Sequence, residues 1–214
     1  MSLRYAHTLI PSSTQATPTP VQVQSFLSAM IERGAIPGDV SITLRTPSTR
    51  TRQGINPFTR QLETWPMKDH SHLQSVTQAA SAISSHQDYE IVASGVGRPN
   101  HPPIPLDFFE PYYLGITCIV SSTLRTTSDH HNCVPYYGEP CTSPTSIGYF
   151  TNPHTAELIE VPRAGCAQFW IEFELGKSLF PPLPDQNLNI LDPSIIQQAE
   201  SIFALQFVQG CHWG

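Results

Sequence analysis

Histidine and cysteine gather in Asp129-His130-His131-Asn132-Cys133, with Cys141 eight residues on and His154 beyond it. Imidazole and thiolate are the ligands zinc prefers, so His130, Cys133, Cys141 and His154 are the candidate metal site, with zinc as the candidate cofactor. The spacing argues the other way. Seven residues separate the two cysteines, where common structural knuckles have two to four. Adjacent histidines also project in different directions. A solvated loop without cofactor is the plainer reading, and a zinc-type enzyme or metal-binding protein is its alternative.

A second constellation lies in Cys166 to Leu175, where alternation sends Ala167, Phe169, Ile171, Phe173 and Leu175 to one side. Gln168, Trp170, Glu172 and Glu174 then share the other. Glu172 and Glu174 have Cα atoms about 6.6 Å apart on one strand, a spacing compatible with two-carboxylate chemistry. A half-exposed strand carries Glu outward without any catalysis, however, and no catalytic residue is assigned. If Tyr113 to Leu124 joins the same sheet, its outward Tyr113, Thr117, Ser121 and Thr123 extend this face. Aromatics among adaptable polar groups suit protein recognition, so Trp170, Glu172 and Glu174 are candidate binding residues.

A third feature is basic. Arg45, Arg50, Arg52 and Arg60 fall within 16 residues, and no acid follows until Glu63. They surround Asn56-Pro57-Phe58-Thr59-Arg60-Gln61-Leu62, and the pattern N-P-x-T-x-x-L-x-x-x-P returns from Asn152 to Pro162. Asn-Pro starts a tight turn, because Pro presets φ and the Asn side chain can bond the backbone ahead. Each copy therefore predicts a hairpin, with its final Pro ending strand pairing. The pair reads as a good turn used twice or as an internal duplication. The stretch Arg50 to Pro66 faintly resembles the arm of the bacterial histone-like DNA-bending proteins, over fewer than 20 residues. It departs from them at Arg60, which stands where they usually carry Gly, and it lacks their helices, small size and basic charge. Kinship is not inferred. Arg50 and Arg52 remain candidates for contact with an anionic or acidic protein surface.

The elements that must position these residues follow from periodicity. Thr19-Pro20-Val21-Gln22 has an N-cap, a first-turn Pro and a capping-box Gln. Val23, Phe26, Leu27, Met30 and Ile31 continue it as one buried stripe ended by Gly34. A last helix opens at Asp192-Pro193 and carries Ile195, Ala199, Ile202, Phe203 and Phe207 inward, closing at Gly210. A third is expected from about Ser71 to Ser85, with Leu73, Val76, Ala80 and Ile83 inward. Strands are expected at Leu3 to Ile10, Val40 to Thr46, Tyr89 to Ser94, Tyr113 to Leu124 and Cys166 to Leu175.

The chain has 214 residues, 13% of them charged, with 11 Lys+Arg against 17 Asp+Glu and a net charge of −6. That balance argues against a general nucleic-acid binder. No apolar run reaches the roughly 18 residues of a membrane span. Met1 to His7 lacks the layout of a secretory signal, so the expected location is cytoplasmic. An odd count of five cysteines does not make a disulfide scaffold. Nucleotide-binding and hydrolase signatures are absent from the sequence.

The expected fold is α+β, an antiparallel or mixed sheet with about three helices on one face. Its first half follows a ferredoxin-like order if the hairpin is an insertion. One composite domain, 1–214, is expected; its possible halves, 1–97 and 106–214, meet at the Pro/Gly-rich segment 95–105. The expected function is a non-catalytic protein-binding module, adaptor or inhibitor-like, working through the Trp170 face or the arginine-rich hairpin.

Overall fold

The computed structural model describes residues 5–13, 15–36, 38–55, 60–95, 113–126, 147–151, 158–162, 166–175 and 191–213. Nine strands form one sheet: β1 (Tyr5–Pro11), β2 (Val40–Ile55), β3 (Leu62–Leu73), β4 (Tyr89–Gly95), β5 (Tyr113–Thr126), β6 (Ile147–Thr151), β7 (Leu158–Pro162), β8 (Cys166–Leu175) and β9 (Phe207–Trp213). Their order is β3-β2-β4-β5-β8-β1-β9-β6-β7, and every pairing is antiparallel. Three helices complete the α+β fold: α1 (Pro20–Glu32), α2 (Ala79–Ile83) and α3 (Pro193–Phe203). The ferredoxin-like expectation finds no support in this order, because β1 pairs with β8 and β9 and not with a strand of the first half.

Local chemistry accounts for the helix ends. Thr19 and Gln22 form the reciprocal capping box of α1. Gln22 reaches further: its Nε2 donates to the carbonyls of Ile202 and Phe203 at 3.0 and 3.3 Å, so one side chain starts α1 and satisfies the end of α3. Gly34, at φ 75°, ends α1. The Ala35 and Gly34 amides bond back to the Met30 and Ile31 carbonyls, a Schellman closure that needs the left-handed conformation.

The helices cover one face of the sheet. Val23, Phe26, Leu27 and Met30 of α1 meet Ile195, Ile196, Ala199 and Phe203 of α3 over Leu9, Ile91, Ile116, Phe169, Ile171 and Phe173. Phe203 is the hinge of this packing, with ring centroids 5.3 Å from Phe26 and 4.9 Å from Phe169. Cys118 lies wholly within the core, where burial pushes its thiol pKa up and keeps it inert. Under the start of α3, buried Gln209 accepts from the Leu191 amide at 2.8 Å. Its amide group then donates to His7 Nδ1 at 3.0 Å, which fixes the imidazole as an acceptor there.

Three expectations need correction. α3 stops at Phe203, because Ala204 turns left-handed at φ 53°, and Phe207 begins β9 instead of a further helical turn. The helix expected from Ser71 to Ser85 is reduced to a 3-10 turn at Val76–Gln78 and the short α2, since β3 continues to Leu73. Pro66 does not end its strand. It sits inside β3 opposite Thr51, a position open to Pro because β3 is an edge strand.

Candidate functional site

The arginine-rich segment builds an arm. β2 pairs with β4 from Val40 to Arg45, then runs on to Ile55 with β3 as its one partner among the described residues. The eight β3 residues from Leu62 to Asp69 carry this two-stranded ribbon about 25 Å past the last rung shared with β4. The register shifts between Pro47 and Thr51. Extra β2 residues are accommodated there as a bulge, which bends and twists a ribbon. At the far end Ile55 and Leu62 stand directly opposite each other, 69% and 68% exposed. In the register Thr51, Gln53, Thr64 and Pro66 share their face, so that face carries no charge between root and end.

The root is held differently. Glu90, on the β4 position facing away from the helices, is buried, and Lys68 Nζ from β3 and Arg45 Nη1 from β2 bind its carboxylate. The Lys68 side chain is only 11% exposed. Three strands thus lock through one carboxylate where the arm leaves the sheet. Thr43 Oγ1 and His72 Nδ1, 3.1 Å apart, add a rung behind it.

Of the predicted arginines, Arg50 binds Asp69 at 2.5 Å with both side chains largely solvated. That hydrogen bond, aided by Ser48 and by the charges of Arg50 and His70, holds the Asp69 carboxyl below its ordinary range. Arg52 lies exposed opposite Trp65 on the face that alternates with the Ile55–Leu62 face, and it is engaged within the chain. The arm is therefore a partly self-neutralised ribbon and not a bare cationic patch.

The Trp170 face departs from expectation. β5 and β8 do pair, but Trp170 is 2% exposed, packed with Ile10, Ile119 and Ala167 and flanked by Val208. Its Nε1 donates to Glu172 Oε1 at 2.9 Å. Both faces of the central strands are withdrawn from solvent, so pointing away from the helices does not expose the indole. Glu172 faces Thr117 and Thr8, and Glu174 faces Gly115 and Ala6; both glutamates are half-buried. Trp170 acts here as a second small core and not as a presented anchor.

His130, Cys133, Cys141 and His154 lie outside the described residues. Among those described, no three His, Cys, Asp or Glu side chains gather to hold a metal ion. No described helix is long and apolar enough to cross a membrane.

Compared with protein-family models, with curated proteins and with solved structures, the chain matches none. The functional reading therefore stands on this chain alone. Sequence reasoning missed Glu90, Lys68, Ile55 and Leu62. The aliphatic pair left a signal, two large apolar residues bracketing the Asn-Pro-Phe-Thr segment within a mainly polar sequence. Glu90 left none, because its partners lie 22 and 45 residues away.

Proposed function

We propose that this chain is a non-catalytic protein-binding module, adaptor or inhibitor-like, that engages its partner through the β2–β3 arm. One observation carries the reading: a cross-strand pair of large aliphatics stands exposed at the end of a projecting ribbon whose root is locked by a buried ion cluster. Aliphatic side chains held in water on a positioned scaffold gain free energy only when something covers them. The charge-free face leading to them avoids the desolvation cost that interface cores keep low.

The sheet face around Trp170 is the weaker surface, because its aromatic is already packed. Trp170→Ala is expected to lower the melting temperature, whereas Ile55→Asp with Leu62→Asp is expected to leave it in place and abolish partner capture. A crosslinkable residue at position 55 that joins a protein in wild-type context would support the arm. Capture unchanged by the double aspartate variant would remove it.

A further inference from the structure

We infer that the partner of the arm is a second copy of this chain, each arm lying on the acidic body of the other protomer; the inference rests on the arm being the docking element. Charge along the chain is segregated. Residues 40–73 together with their buried counterion Glu90 hold five basic and three acidic side chains, a surplus of two positive charges. The chain totals −6, so everything else carries −8. Residues 1–39 and 91–128 are balanced, and residues 129–214 hold two basic against nine acidic side chains. The region that forms the arm and its root thus carries a surplus of two positive charges against −8 for the remainder, and the body of another copy is its complement.

Three further points select this occupant. Among the described residues no third strand joins the outer part of the ribbon, a state that is marginal in water, yet β2 and β3 stay paired to Ile55 and Leu62 and most of the side chains described there are exposed. A covering surface removes that disadvantage. Pro66 within the edge strand β3 interrupts any continuous ladder with another strand, so the contact uses side chains and not sheet extension. A polyanion fits poorly, because a surplus of two releases few counterions and the −8 body would be repelled. Reciprocal exchange about a two-fold axis uses each arm once and closes, with no growing filament.

The test is sedimentation velocity of the full chain at tens of micromolar, in about 50 mM and about 500 mM salt. Expected is a species of twice the chain mass in low salt that shifts toward monomer in high salt. Ile55→Asp with Leu62→Asp is expected to be monomeric at both and to melt like the wild type in high salt, where both are monomers, and Arg52→Glu to associate about tenfold more weakly. A wild-type monomer in both buffers overturns the second copy, as does a dimer that neither arm variant disturbs. Retention of a short DNA duplex by the arm in low salt overturns it in favour of nucleic acid. If the wild type is monomeric while arm variants still lose a captured partner, only the second copy fails. If the variants change neither mass nor capture, the arm reading fails with it.

Discussion

The centre of the sheet and its arm use the same antiparallel ladder and differ in nearly everything else. Strands β4, β5, β8 and β1 bury apolar side chains on both faces, with Phe169, Ile171 and Phe173 toward the helices and Ile119 and Trp170 away from them. The outer halves of β2 and β3 satisfy the same backbone groups yet bury almost nothing. Backbone hydrogen bonds exchange for bonds to water and yield little net stability, so apolar burial must distinguish the two regions. The centre holds the fold; the arm presents a surface that the fold does not consume.

The largest expected break is in the centre. Phe169 is fully buried and touches the ring clusters of α3 and β9. Phe169→Ala is expected to cost about 3–5 kcal/mol by cavity formation. Chemical denaturation measures it, and a cost near that of a surface substitution would show that the centre is not the stabilising region.

Next comes the junction. Glu90→Leu leaves the Lys68 ammonium buried without its carboxylate, and removal of one member of such a pair costs about 3 kcal/mol. Amide exchange from Thr46 to Asp69 is expected to quicken while exchange in β8 stays slow. Adding Lys68→Met to Glu90→Leu is expected to recover most of the loss, because apolar groups then replace the two most buried charges and Arg45, 37% exposed, can turn its head to water. If exchange rises equally in both regions, the cluster is part of the core and does not anchor the arm specifically.

A smaller effect sits at the edge of the centre, where Asp88 ties the start of β4 to β5. Partial burial raises its pKa, but the Ser122 amide, the Ser121 and Ser122 hydroxyls and the Arg125 charge outweigh that and bring the carboxyl below its ordinary 3.8. A depressed folded value means stability that is complete above the unfolded value and lost as pH falls through the folded one. Asp88→Asn is expected to cost about 1 kcal/mol at neutral pH. Its difference from wild type should shrink below pH 3.8. A difference constant into strong acid would show that the carboxylate charge is not what ties the two strands.

The centre was legible in sequence where side chains repeat with a period and a cap marks the end. Thr19, Pro20 and Gln22 announce α1, and the alternation of Cys166 to Leu175 places Phe169, Ile171 and Phe173 in the main core, while Ala167, expected beside them, packs with Trp170 near the register shift between Val120 and Arg125. The arm was half legible. Its turn chemistry is local, but Thr, Arg and Gln from Thr46 to Gln53 show no apolar alternation, so only pairing with β3 reveals that the strand continues. β9 was misread because Phe207 stands four residues after Phe203, in phase with the helical stripe, and only the left-handed Ala204 breaks that phase. Trp170 was assigned to the correct side of its strand. Alternation says which way a side chain points and nothing about whether that side is covered.

The smallest expected change is at the end of the arm, and it bears most directly on the comparison. Ile55 and Leu62 are more than two-thirds exposed, so replacing both with Asp removes little burial and is expected to alter folding stability by no more than about 0.5 kcal/mol. Two aspartates directly opposite repel, and the loss from that repulsion stays local to the end of a ribbon that runs past the core. Measured beside Phe169→Ala, the same urea titration should separate the two regions by several kcal/mol. In about 500 mM salt, where the chain is expected to be monomeric, a cost above about 2 kcal/mol for the tip pair would mean that these side chains are covered within the monomer. The arm would then belong to the core, with no apolar surface left for a partner.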